Sequence, residues 1–276
     1  PYAGTVDRKY NYPASPDAFV GEVNRRLREW GFNAHGAWVT EEFFDRDLMY
    51  TDILECKLQA PECRIRFPGC NLPDVFDPRF AEGVEAIAAA LCPPRRERKS
   101  FIGYFTDNEM GWGEGATDHV WGGGEHLNSA DGAPTLLQIC LGMPPDRPAH
   151  AEAWRFIRER YPSHEALADA WALEAAEPKD FQTLLDKGVM LDSEAYGNDL
   201  HDFVAHFAHT YFRITGGAIR RHDPNHLILG CRFGAPPGPG VARAVRESDH
   251  IDVVSANNYR DTMRRRMDEY TGPMRK

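Results

Sequence analysis

The sequence predicts an α/β fold built on a parallel sheet, and three observations carry that prediction. Amphipathic helical patterns and short apolar runs alternate from residue 15 to residue 109, the order that parallel strands with crossover helices produce. Within SFIGYFTDNEMGWG, the run at 101–105 is almost continuously apolar, which suits a strand covered on both faces. Two later runs, at 227–231 and 251–256, also read as strands, and each exits into polar side chains as the first does. Polar groups at the C-terminal ends of buried parallel strands lie where α/β barrels and open α/β sheets place their active sites.

Residues 1–14 are polar, rich in Pro and Tyr, and show no periodicity. Ser15-Pro16-Asp17 reads as a helix start, with Ser as N-cap, Pro in the first turn and an acid near the positive helix end. Phe19, Val23, Leu27 and Trp30 follow at helical spacing, and Gly31 closes the helix. Residues 32–39 then read as a short strand with His35 and Trp38 near its exit, either packed or facing a pocket. Residues 50–56 make a weaker strand, and 59–73 a loop rich in Pro, Cys and Gly. Asp77-Pro78 opens a helix with Phe80, Val84, Ile87 and Leu91 on one face. Pro93-Pro94 and the basic run 95–99 then lead into the strand of the opening motif.

Residues 114–148 are Gly-rich and irregular, and read as an insertion that walls a pocket. They hold no strand–GxGxxG–helix or GxxxxGK[ST] pattern, so no phosphate cradle is expected. Helical patterns occupy about 148–161, 163–172 (capped by Ser163) and 199–222. His201, His206 and His209 lie on the last of these without an H-E-x-x-H pattern and read as surface or structural residues. His222-Asp223-Pro224-Asn225 breaks that helix. The next strand exits at Arg232, and the one after it at Asn257-Asn258-Tyr259. The final 17 residues read as a further helix start and a turn at Gly272-Pro273. The whole of 1–276 reads as one domain.

Composition bounds the function. A formal net charge of -10 excludes an ordinary nucleic-acid binder, and the short basic runs at 95–99 and 264–266 read as solvated faces. No apolar stretch reaches the roughly 18 residues that span a bilayer, so the chain reads as soluble, with no membrane partner. It begins at Pro1 without a Met, so the absence of a signal peptide leaves the compartment open. Six Cys in 276 residues are too sparse for a disulfide scaffold. Cys56, Cys63 and Cys70 recur every seven residues, which admits a zinc site lacking its fourth ligand, but the spacing matches no standard zinc motif, so they read as free or paired structural thiols and no cofactor is expected. Oligomeric state is left open.

The candidate chemistry lies in Thr106-Asp107-Asn108-Glu109. Burying so many polar groups requires partners, which points to a pocket; an Asx-rich turn with a solvated Glu109 is the alternative. A metal-dependent hydrolase built on Asp107, Glu109 and His119 is a further reading, without a known ligand spacing behind it.

Taken together, WGFNAHGAW, PDVFDPRF, IGYFTDNEMGWG, DPNHLILGCRF and DVVSANNYR resemble clan A retaining glycoside hydrolases, in particular the β-agarase and β-galactosidase-like members. These blocks run in order from about residue 8 to 262, nearly the whole chain. The resemblance implies a (β/α)8 TIM barrel, incomplete in this chain. Residues 32–39, 50–56, 100–109, 227–232 and 251–259 would be its second to sixth strands. It also implies that Glu109 is the acid/base and that Asn108 binds the sugar 2-hydroxyl. Tyr259, Asn258, Arg232, His35, Trp38 and Trp112 become candidate substrate contacts, with Trp121 a further stacking candidate. The nucleophile, a second Glu on the seventh strand, is expected beyond Lys276. The implied activity is retaining cleavage of β-glycosidic bonds, galactan- or agarose-like. A non-catalytic carbohydrate-binding barrel is the alternative.

Overall fold

A computed structural model describes residues 2–67, 70–114, 119–120, 127–128, 134–187, 191, 193–257, 272 and 274. In chain order the elements are α1 (Tyr2–Tyr10), α2 (Asp17–Glu29), β1 (Ala34–His35), β2 (Met49–Ile53), β3 (Arg64–Phe67), β4 (Cys70–Pro73), α3 (Pro78–Leu91) and β5 (Phe101–Asn108). They continue with β6 (His119–Val120), β7 (Leu127–Asn128), α4 (Leu136–Gly142), α5 (Pro148–Arg160), α6 (His164–Trp171), α7 (Pro178–Lys187), α8 (Glu194–His222), β8 (Leu227–Phe233), α9 (Pro239–Glu247) and β9 (Ser255–Ala256). Short 3-10 turns connect several of them, including one at Cys56–Leu58.

Five strands form one sheet in the order β1-β2-β5-β8-β9. Every neighbouring pair is parallel. Strands therefore add in sequence order, with α-helices in the crossovers from β2 to β5, β5 to β8 and β8 to β9, and the result is a parallel half-barrel, the α/β architecture read from the sequence. The hairpin β3–β4 and the pair β6–β7 stand outside this sheet.

The central strand, β5, explains why the sheet forms here. Phe101, Tyr104, Thr106 and Asp107 are buried, and β5 is flanked by β2 on one edge and by β8 on the other. A side chain at Gly103 would place its Cβ 2.1 Å from the backbone oxygen of Leu227, so only glycine lets β8 enter alongside. Asp223 fixes that entry: Tyr104 Oη donates to it at 2.7 Å, His226 Nδ1 lies at 2.8 Å, and His226 Nε2 reaches Arg98 O at 3.0 Å. The Asp-Pro-Asn-His sequence thus stops α8 and seats β8 in one short turn.

α3 begins as expected, with Pro78 in its first turn and Asp77 accepting from Arg79 N at 3.0 Å. α8 starts at Glu194, five residues before the sequence pattern, because Ser193 caps it and accepts from Tyr196 N at 3.3 Å. Its buried face, including Phe203, Phe207 and Tyr211, covers α3 and the end of β5.

Several expectations are corrected. Residues 2–10 form α1, where no periodicity was legible. The loop at 59–73 contains the hairpin β3–β4, with Ile65 and Leu72 inward. The segment 114–148 is not irregular throughout: α4 occupies Leu136–Gly142 behind a Thr135/Gln138 capping box. Every residue of α4 is buried, so it carries no amphipathic stripe to betray it. Of the strand at 251–256 only Ser255–Ala256 pairs with β8. The expected helix start after Tyr259 lies outside the described residues. Among the described residues, no helix is long and apolar enough to cross a membrane.

Candidate active site

The end of β5 is held by the ends of its neighbours. Glu109 follows the strand with φ +46°, in the left-handed region, and its N–H donates to Arg232 O at 2.8 Å. Asn257, just past β9, donates from Nδ2 to Glu109 Oε1 at 2.6 Å and lies 3.0 Å from Asn108 Oδ1. Glu109 is only 3% exposed. A Cβ at Gly234, just past β8, would stand 3.0 Å from Glu109 Cγ, so the carboxyl arm packs against bare backbone. Three consecutive strand ends of the sheet, those of β5, β8 and β9, thus converge on one carboxyl group.

Asp107 lies on the other side of the same strand end and is fully buried. It accepts from Lys57 N at 3.0 Å and from Tyr211 Oη at 2.6 Å, and Tyr211 Oη is also 2.9 Å from Thr106 Oγ1. Burial pushes the Asp107 carboxyl up to about 7, against the Lys57 charge and the Tyr211 hydrogen bond, which favour ionisation. Burial likewise raises the Tyr211 hydroxyl well above the ordinary range. Lys57 makes a second contact: its Nζ donates to Asn108 O at 3.0 Å. The 3-10 turn after β2 therefore clamps the last two residues of β5 through both backbone and ammonium.

Around this centre the rim is continuous. Glu55, left-handed at φ +50°, accepts from Trp38 Nε1 at 3.0 Å. The Arg232 guanidinium sits 4.4 Å from the Trp38 ring centroid and 5.0 Å from that of Phe105. Trp38 keeps 54% of its surface exposed, so an amphipathic platform stands beside the strand ends. His35 is buried, 2.8 Å through Nε2 from Asn24 Oδ1 and edge-on to Phe43, and burial lowers its pKa. With Trp38 it lines an apolar cavity of about 720 Å³ that Val6, Tyr12, Phe19 and Phe43 also wall.

Glu109, Asn108, Arg232 and Trp38 thus come together at one rim, and His35 adjoins it through the cavity it shares with Trp38. Trp112 does not: it is 1% exposed, packs edge-on against Tyr211 at 5.5 Å and bridges to Cys70, so it has no ring face left for a ligand. Tyr259, Asn258 and Trp121 lie outside the described residues, as does the side chain of His119. Cys56, Cys63 and Cys70 are buried in separate places: Cys56 near Asp107, Cys63 at Asp77, and Cys70 beside Cys140. Among the described residues no group of three or more His, Cys, Asp or Glu gathers to hold a metal.

Three residues at or near the site had no signal strong enough to select them. Lys57 looked like any charged loop residue. Asn257 was visible only as one of several polar groups at a strand end. Glu114 is buried and accepts from His201 Nδ1 at 2.7 Å, from Val241 N at 3.2 Å and from Gly240 N. It tethers the loop after Glu109 to the N-terminus of α9, where a carboxylate meets the positive helix end. His206 and His209 contact Glu152 and Glu247, which fits their structural reading.

No family model matches the chain. It is 26% identical to Beta-agarase A of Vibrio sp. (strain JT0107) over 264 residues, covering 91% of this chain and 25% of that protein. Beta-agarase B of the same strain is 24% identical over 269 residues, covering 95% of this chain and 27% of that protein. The chain therefore spans about a quarter of the length of the curated relatives it matches. Among solved structures, the agarase AgWH50C superposes with a TM-score of 0.69 at 26% identity, over 99% of this chain and 38% of that one. An exo-β-agarase structure gives a TM-score of 0.74 at 21% identity, over 99% of this chain and 36% of that one, which is a likeness of fold.

Proposed function

We propose that this chain, an agarase-like half-barrel, carries the acid/base side of a retaining glycoside hydrolase that cleaves β-glycosidic bonds of a galactan- or agarose-like substrate. The observation that carries the reading is the convergence of three strand ends on Glu109, with Asn257 fixing the rotation of its carboxyl group. Retaining hydrolysis uses two carboxyl groups about 5–5.5 Å apart. Glu109 protonates the departing glycosidic oxygen while the second carboxylate attacks the anomeric carbon. Glu109 then deprotonates the water that releases the sugar. The second carboxylate is not assigned among the described residues.

The neighbours have matching roles. Asn108 Oδ1 is engaged by Asn257, so the Asn108 amide presents its N–H groups to the sugar 2-hydroxyl, a contact that strengthens in the transition state. Arg232 covers one face of the Trp38 ring, and the exposed remainder is a stacking surface for a sugar face. His35 lines the wall beyond Trp38, and the resemblance adds Asn258 and Tyr259 as further candidate substrate contacts.

The test is Glu109→Ala in the natural full-length protein, assayed on dinitrophenyl β-galactoside and on agarose oligosaccharides. An activated leaving group needs no acid, so glycosylation survives, deglycosylation stalls, and azide restores turnover as a glycosyl azide. Wild-type turnover in the variant would sink the assignment. Saturable oligosaccharide binding without any turnover by the wild-type protein would replace it with a non-catalytic carbohydrate-binding barrel.

A further inference from the structure

The hairpin β3–β4 carries positive charge in an unexpected place for an acidic chain. Arg64 and Arg66 are two residues apart on β3 and share one face, opposite the buried Ile65. Arg147, just before α5, approaches the same space, and the three arginines line a cavity of about 350 Å³ with Phe67, Met143 and Gln182. The Nε groups of Arg64 and of Arg147 are buried with no hydrogen-bond partner among the described residues. Buried donors are ordinarily paired, and both of these belong to side chains that line the cavity.

Among the described residues, protein acceptors meet only part of these guanidinium groups. Arg64 Nη2 donates to Asn71 Oδ1 at 2.5 Å, and Arg147 Nη2 to Cys63 O at 3.2 Å. Asp74 stands 3.8 Å from Arg147 but already accepts from Ala149 N and Phe76 N, both at 3.1 Å. Burial and then the adjacent Arg66 charge lower the Arg64 pKa, with the more distant Asp107 opposing them. The hairpin also belongs to the active-site side of the sheet: Asn71 N donates to Gly111 O at 3.0 Å, two residues beyond Glu109.

We infer that Arg64, Arg66 and Arg147 form an oxyanion pocket that takes one tetrahedral sulfate or phosphate group, free or as an ester on a saccharide. Three planar guanidinium forks, two from one face of β3 and one from before α5, match the several oxygens of such a group, and desolvation strengthens each contact. The free-anion form of the inference does not depend on the role of Glu109.

Calorimetric titration at low ionic strength tests it, with sodium sulfate, sodium phosphate, galactose 6-sulfate and galactose as probes and sodium chloride as the ionic-strength control. One sulfate or phosphate per chain is expected, with no saturable heat from chloride or galactose. Arg66→Gln, whose side chain is exposed, should weaken binding at least fivefold, and R64Q/R66Q should abolish it while melting remains cooperative. Galactose 6-sulfate binding at least tenfold tighter than sulfate assigns the pocket to a saccharide ester; equal or weaker binding assigns it to the free anion. The inference is overturned if neither anion binds saturably, or if R64Q/R66Q binds as the wild type does.

Discussion

Replacing Asp107 with Asn should flatten a specific part of the protein's pH–stability curve. Asp107 is fully buried, and its carboxyl group is pushed up to about 7 from an ordinary value of 3.8. A raised folded-state pKa means that the folded chain holds the proton longer than the unfolded chain does. The stability this group contributes is therefore fully present below about pH 4 and is lost as the pH rises to about 7. A shift of about 3 units at 1.36 kcal/mol per unit amounts to about 4 kcal/mol. Asn has the same shape, accepts from Lys57 N and Tyr211 Oη through its one oxygen, and does not titrate. Urea unfolding of wild type and Asp107→Asn, measured every half unit from pH 4 to 8.5, gives the difference directly. The wild-type advantage should fall by about 4 kcal/mol across that range and level off above pH 7.5. Parallel curves, or a constant offset at every pH, would mean that Asp107 is ionised throughout and that Lys57 and Tyr211 outweigh its burial.

Three further substitutions probe the supports of Glu109. Lys57→Met removes the ammonium contact to Asn108 O but keeps the backbone N–H to Asp107. Measured on the hydrolysis proposed above, in the natural full-length protein, it should lower kcat by roughly 10–100-fold with little change in KM, the cost of one charge-assisted hydrogen bond. Gly234→Ala places a methyl 3.0 Å from Glu109 Cγ; hydrolysis should fall about tenfold or more while thermal melting shifts by only a few degrees. Glu114→Ala orphans the N–H groups of Gly240 and Val241 and the His201 ring, which should cost about 3 kcal/mol, or roughly 6–12 °C in Tm, and Glu114→Gln should recover most of it.

What the sequence made legible, and what it hid, divides along a physical line. Burial shows in local composition, so β5 and β8 were visible as apolar runs, and α2, α3, α5 and α8 as periodic faces. Local caps were visible for the same reason: Asp77 and Ser163 lie next to the helices they start. The tether of α9 was hidden because the carboxylate at its N-terminus is Glu114, 126 residues from Gly240. The supports of the site are equally remote. Lys57 is 50 residues from Asp107, Tyr211 is 104 from it, and Asn257 is 148 from Glu109. Pairings at that range follow from which strand ends the sheet brings together, and no spacing in one sequence records them. Trp112 shows the converse: a Trp beside the motif invited a binding role, yet side-chain direction placed it in the core.

The placement of Glu109 relative to Asp107 follows from the left-handed turn that ends β5, a strand whose ladder to β8 is already irregular between Phe105 and Asp107. Side chains along a strand alternate, so a regular continuation would point Glu109 the way Asp107 points, toward Lys57 and Tyr211. Two carboxyl groups would then share one buried layer, and mutual repulsion would keep one of them protonated. The left-handed φ of +46° at Glu109 breaks the alternation. It brings the carboxyl group to the side of Asn108, where a single amide, that of Asn257, reaches both residues. The strained conformation costs about 1 kcal/mol for a residue with a side chain, and the hydrogen bond from Glu109 N to Arg232 O helps to offset it. One strand end thus separates two acids into two environments: Asp107 is locked into the helix layer as a structural group, and Glu109 is delivered to the rim. A glycine at 109 would adopt the same turn with less strain and carry no carboxyl, so the strain is a cost of keeping an acid at this position.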